Sequence, residues 1–202
     1  MQVVITEQGE NREATCEFVQ EPRPQWAEIW RKQLTGSISN KQEDSIEFLE
    51  SALSKWHLYR VRGRIAGSEQ DFNQQISDNP QVDVLAIITL DAPWFRLSGG
   101  MGMCQFRRTW QHNFVIDYIA VHPVLLGEVQ SIEGVGTMLL YTVATLATTL
   151  KIEKVWLETT DLSAPYYSRL FGIAEASDLL VLPAQAFYES LHRRYTGVRT
   201  TN

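Results

Sequence analysis

The sequence predicts a single domain of the α/β or α+β class. Three observations carry this. The 202 residues, 44% of them hydrophobic, suit one domain with a sizeable core. Residues Phe114 to Gly172 read in order as strand, glycine-bearing turn, helix, parallel strand and helix. Upstream, β-rich runs separated by short turns occupy residues 82–121, the pattern of neighbouring antiparallel strands.

The elements follow from local pattern. The polar first fifteen residues read either as a frayed end or as one strand at Val3–Thr6, and Thr15–Gln20 alternates as a strand does. After Pro22 and Pro24, residues Gln25–Leu34 carry Trp26, Ile29 and Trp30 at helical spacing, an aromatic stripe for the core or a groove. Asp44 and Ser45 can cap a helix through Ile46, Leu49, Leu53 and Trp56. Residues 57–75 leave strand-and-turn and broken helix both open, and Asp78–Gln81 turns around Pro80. Val82–Thr89 is a buried strand, Trp94–Leu97 begins an extended piece, and Ser98–Gly102 punctuates a hairpin. Cys104–Trp110 and Phe114–Val121 are neighbouring strands, the latter with Val115, Asp117, Ile119 and Val121 on one face. A helix runs from the Ser131–Thr137 turn to Leu150, and a strand covers Lys154–Glu158. A short helix from Ser163 to Gly172, a strand at Leu179–Leu182 and a helix at Gln185–Arg194 complete the chain.

Composition excludes some functions. Net charge is −6, from 18 Lys and Arg against 24 Asp and Glu, and the pI is 5.3. Proteins that live on nucleic acid carry a basic face, whereas the densest basic cluster here is Arg60, Arg62 and Arg64. Nucleic acid is therefore not expected as a partner. No stretch approaches the ~18 apolar residues of a membrane span, and the opening MQVVITEQGE lacks the basic start and apolar run of a secretory leader. Cys16 and Cys104 form no ligand pair or framework, which suits a reducing cytoplasm. No metal spacing is present among the four histidines.

Chemistry concentrates in residues 114–172. Gly134 and Gly136 open a helix, leaving backbone N–H groups free for a bulky anion that the helix dipole favours, such as a pyrophosphate. The run IDYIAVHP…SIEGVGTMLL…VWLETTDLSAPYYSRLFG resembles the GNAT superfamily of acyl-CoA-dependent N-acyltransferases. That family carries Gln/Arg-x-x-Gly-x-Gly/Ala after its fourth strand and a small polar residue, Ala and a tyrosine-bearing helix after its fifth.

The resemblance implies an α/β (α+β) fold with a mixed, largely antiparallel central sheet flanked by helices, in which the parallel fourth and fifth strands splay apart and acetyl-CoA enters between them as cosubstrate. Its pantetheine would pair with the backbone of Ile119, Ala120 and Val121. Its pyrophosphate would rest on the turn formed by Ser131, Ile132, Glu133, Gly134, Val135, Gly136 and Thr137, with Ser163 nearby. The implied reaction is direct attack of a primary amine, on a small molecule or peptide, upon the thioester. Tyr167 occupies the family's tyrosine position as general acid, with Tyr166 in reserve. Asp117 is the candidate base, ahead of Glu158; His122 and His112 read as loop histidines. Residues 1–80 would form the acceptor side and 114–172 the acyl-CoA core of a single domain, and a homodimer is left open.

Three features depart from the family pattern. Ser131 stands where Gln or Arg is usual, the loop from Pro123 to Gly134 is long, and Leu170-Phe171-Gly172 inverts the usual Leu-Gly-Phe. The end of the chain reads as strand then helix instead of a closing hairpin. These departures motivate an alternative, a non-catalytic acyl-CoA sensor or interaction module on the same fold.

Overall fold

A computed structural model describes residues 1–127, 132–176 and 178–199. Its strands are β1 (Gln2–Glu7), β2 (Glu10–Phe18), β3 (Ile65–Ala66), β4 (Val84–Asp91), β5 (Gly102–Arg108), β6 (Phe114–Val121), β7 (Ile132–Glu133), β8 (Lys154–Glu158) and β9 (Leu179–Pro183). The helices are α1 (Trp26–Lys32), α2 (Asn40–Val61), α3 (Glu69–Asp78), α4 (Val135–Thr149), α5 (Ala164–Phe171) and α6 (Ala184–Arg199). The strands form one sheet in the order β7-β1-β2-β4-β5-β6-β8-β9, with β3 beside β4. Only β6–β8 and β3–β4 pair in parallel; the other described pairs are antiparallel. The mixed, largely antiparallel sheet expected from the sequence is the one observed.

Each face of the sheet carries its own core. On one side α1 and α2 bring Trp30, Ile46, Leu49, Ala52 and Trp56 against Leu85, Ile87, Met103 and Ala120. On the other, α4 and α6 set Val135, Met138, Leu139, Val143, Phe187 and Leu191 against Val3, Ile5, Ile88, Phe106 and Phe114. Of the α1 stripe, Trp30 is buried in the first of these cores and Trp26 packs half-buried against it; Trp56 of α2 is buried beside them.

Strand β6 departs from simple alternation. Phe106 pairs with Ile116 and the next residue, Gln105, pairs with Tyr118, so Asp117 has no residue opposite it in β5. This one-residue bulge reverses the parity of the strand. Phe114 and Ile116 point to the α4 core, whereas beyond the bulge Ala120 points to the α2 core and Ile119 and Val121 to the α4 side. The expected single face of Val115, Asp117, Ile119 and Val121 is corrected accordingly. Past the bulge β6 also parts from β8: the parallel pairing covers Phe114–Val155, Val115–Trp156 and Ile116–Leu157.

Other boundaries moved for local reasons. Helix α2 starts at Asn40, because Ser39 and Gln42 form a capping box one turn before Asp44. Ser45, expected as a cap, is instead buried within the helix. Trp94–Leu97 forms no strand: the chain turns over Ala92–Phe95, where Phe95 N donates to Ala92 O at 3.0 Å, and Trp94 Nε1 donates to Glu13 O at 2.8 Å. Within the ambiguous 57–75 stretch α2 runs on to Val61, β3 follows, and α3 starts where Ser68 Oγ accepts from Asp71 N at 3.0 Å. The C-terminal strand and helix lie where the sequence places them.

Candidate functional site

The divergence of β6 and β8 opens a cavity of about 470 Å³. Ile119 and Val121 of β6, Leu157 and Glu158 of β8, the stretch Ile132–Thr137, and Ser163, Tyr166 and Tyr167 all line it, with Lys41, Asp44, Ser45 and Phe48 of α2 on the far side. Most of the residues singled out from sequence therefore converge on one space. Ser131 lies outside the described residues, as does Gln130.

The floor at one end is the start of α4. Gly134 is its N-cap, at φ 91° and ψ −2°, a left-handed conformation natural to glycine. The first bond of the helix runs from Met138 N to Gly134 O at 2.8 Å. The N–H groups of Val135, Gly136 and Thr137 consequently have no intrahelical partner and present the positive end of the helix. Ile132 and Glu133 enter this turn as β7, laddered to Glu7 and Thr6 of β1, which fixes the approach to the cradle. Ile132 is buried and Glu133 exposed.

The open edge of β6 is narrower than the expectation for Ile119, Ala120 and Val121. His122 N donates to Met101 O at 2.8 Å, so by alternation the backbone of Ala120 also faces β5, opposite Met103. Val121 turns its backbone the other way, but Ser45 Oγ donates to Val121 O at 2.6 Å and accepts from Val121 N at 3.0 Å. Ile119 is left as the residue whose N–H and C=O face the opened edge. Ser45 was not a site candidate; its signal is a small hydroxyl residue beside Ile46 on the buried face of α2.

Two tyrosines of α5 stand over the cavity. Tyr167 is buried, its ring stacked on Phe171 at 6.2 Å, and its hydroxyl has no partner among the described residues. Burial pushes the Tyr167 phenol far up, with Tyr166 and Cys104 adding to the effect, so it is held protonated. The hydroxyl of Tyr166 meets Thr137 Oγ1 at 3.0 Å. Ser163 Oγ accepts from Thr160 N at 2.8 Å within its own turn.

Asp117 faces α2. Its Oδ1 lies 2.7 Å from Lys55 Nζ and accepts from Arg107 Nε at 3.2 Å, while Arg107 Nη1 donates to Asp83 Oδ2 at 2.8 Å. The side chain is 6% exposed, and Oδ2 is buried without a partner among the described residues. Lys55 and Arg107 were missed because only the folded register brings an α2 lysine and a β5 arginine to one carboxylate.

The remaining candidates separate by position. Glu158 is exposed at the rim. His122 is enclosed between Trp30 and Phe95, ring centroids 5.1 and 5.7 Å away, and its Nδ1 accepts from Val124 N at 3.3 Å. His112 sits in the β5–β6 turn, its ring nitrogens 3.3 Å from Arg108 Nε and 3.1 Å from Leu150 O. No helix among the described residues is long and apolar enough to cross a membrane.

The sheet is mixed and largely antiparallel, and its parallel pair β6–β8 diverges past Ile116. No family profile matches the chain, and no curated protein is significantly similar to it. Among solved structures, it is similar to the crystal structure of an acetyltransferase of the GNAT family from Staphylococcus aureus Mu50. The two are 13% identical over 77% of this chain and 81% of that one, with a TM-score of 0.38, too distant to carry residue roles across.

Proposed function

We propose that the protein is an N-acetyltransferase that moves an acetyl group from acetyl-CoA to a primary amine. The observation that carries the reading is the conjunction, on one 470 Å³ cavity, of a helix start with unpartnered amides and a buried, protonated, unpartnered phenol. The first fits a diphosphate and the second fits a leaving thiolate. Between them, Ile119 offers one free strand-edge pair to an amide of an extended arm.

Acetyl-CoA supplies the activated acyl carbon as a thioester. The chain's own residues then have separable tasks. Val135, Gly136 and Thr137 N–H groups hold the diphosphate, and the bulge with its divergent strands keeps room for the arm. Tyr167 gives its hydroxyl proton to the sulfur as the C–S bond breaks and the C–N bond forms. Asp117 serves the acceptor: Lys55 and Arg107 compensate its charge through Oδ1, and Oδ2 remains an acceptor position for the proton that the amine sheds.

The test is release of free CoA thiol with a panel of primary amines and amine-bearing peptides. Tyr167→Phe keeps the ring and removes the proton donor, so kcat should fall by about 10²–10⁴ with CoA affinity held. Asp117→Asn should lower kcat with CoA affinity held. Full turnover in Tyr167→Phe sinks the acid assignment, and thiol release by no amine sinks the catalytic reading.

A further inference from the structure

The anion cradle has an unusual inventory. Among the described residues lining the cavity, Lys41 is the one lysine or arginine, and it belongs to α2 and not to the cradle. Beside the cradle itself stands Glu133, exposed and of the wrong sign for a phosphate. The side-chain donors lining the α4 end are hydroxyls, Thr137 in the first turn and Tyr166 of α5, 3.0 Å apart; Arg194 of α6 does not line the cavity, although its charge bears on the Tyr166 phenol.

We propose that the Tyr166 hydroxyl, polarised by Thr137, is the phosphate-binding side chain of this site, in place of a cationic one. The inference rests on the acetyl-CoA reading above. Donor counting supports it. Either oxygen can donate in the Thr137–Tyr166 bond; with Thr137 donating, Tyr166 O–H is free to donate to a phosphate oxygen, a chain in which each bond strengthens the next. No bond need break when the anion arrives. Gly136 of the cradle stands beside this hydroxyl: a Cβ there would lie 3.9 Å from Tyr166 Oη, at ordinary contact distance. The ring lies edge-on against Tyr167, centroids 5.2 Å apart at 64°, and both tyrosines line the same cavity. Burial raises the Tyr166 phenol above its ordinary range, against the opposing bond from Thr137, which keeps the donor proton in place.

Calorimetric Kd values for CoA, pantetheine and inorganic pyrophosphate on the full chain test this directly. Tyr166→Phe should raise Kd for CoA and for pyrophosphate about 10-fold or more, the usual cost of a hydrogen bond to a charged group. Its Kd for pantetheine should stay within about twofold. Thr137→Val, which keeps volume and removes the polarising hydroxyl, should show a smaller loss in the same two ligands and serves where Tyr166→Phe does not fold. Wild-type affinity for CoA in Tyr166→Phe, or equal weakening of pantetheine, overturns the proposal. A wild-type chain that binds neither CoA nor pyrophosphate overturns both it and the acetyl-CoA reading. Tyr166-dependent pyrophosphate binding without CoA binding keeps the hydroxyl clasp and discards the acetyl-CoA reading.

Discussion

His122 shows how much one side chain's surroundings decide. Enclosure by Trp30 and Phe95 pushes its imidazole down to about 4, against a backbone contact at Ser98. The fold holds it neutral, whereas the unfolded chain takes up a proton near pH 6.5. Between those values the unfolded state binds more protons, so stability is full above pH 6.5 and falls as pH drops toward 4. The expected loss is roughly 2–4 kcal/mol, read as a lower urea midpoint at pH 4.5 than at pH 7. His122→Leu should flatten this slope; an unchanged slope would assign it to other groups. From sequence His122 was a loop histidine or a base. Its enclosure depends on Trp30 of α1 and Phe95 of the β4–β5 connection, far apart along the chain, so no local pattern reveals it.

At the scale of elements, the legible parts were those with a local cause. Strand β6, the Gly134 turn, α4, β8 and α5 all follow from alternation, glycine punctuation and helical periodicity, and their boundaries agree with the folded chain. What escaped was set by partners. The bulge at Asp117 appears only when β6 is laddered to β5, and Ser45 reaches Val121 only once α2 lies across the sheet. Gly134 offers a test of the cradle as an element. A Cβ there meets nothing within 4 Å, so Gly134→Ala is penalised by its left-handed backbone alone. The expected cost is about 1–2 kcal/mol, seen as a lower melting temperature, together with weaker CoA binding as the first-turn amides tilt. Unchanged stability would mean that the turn relaxes freely.

For the whole molecule, the weak seam is the three-residue contact between β6 and β8, which joins the β8–β9 and α5 portion to the rest of the sheet. A ligand seated between those strands contacts both sides of the seam. At 100-fold excess over Kd it should add about 2.7 kcal/mol, a rise of roughly 5–10 °C for a chain of this size. Amide exchange should slow most in β8 and the first turn of α4. A shift of that size without protection of β8 would put the ligand elsewhere. The acidity of the whole chain belongs to the same scale. Exposed carboxylates on the cavity rim, such as Glu158 and Glu133, draw cationic acceptors while giving no help to a polyanionic donor.

Asp117 is one residue more than the ladder needs, so the two halves of β6 keep opposite phases. Deleting a residue from a strand sends every downstream side chain to the other side. Excising Asp117 would restore an uninterrupted ladder and at the same stroke exchange the two faces of residues 118–121, turning Ala120 away from α2. One deletion would thus change the phase of the strand and the lining of the cavity together.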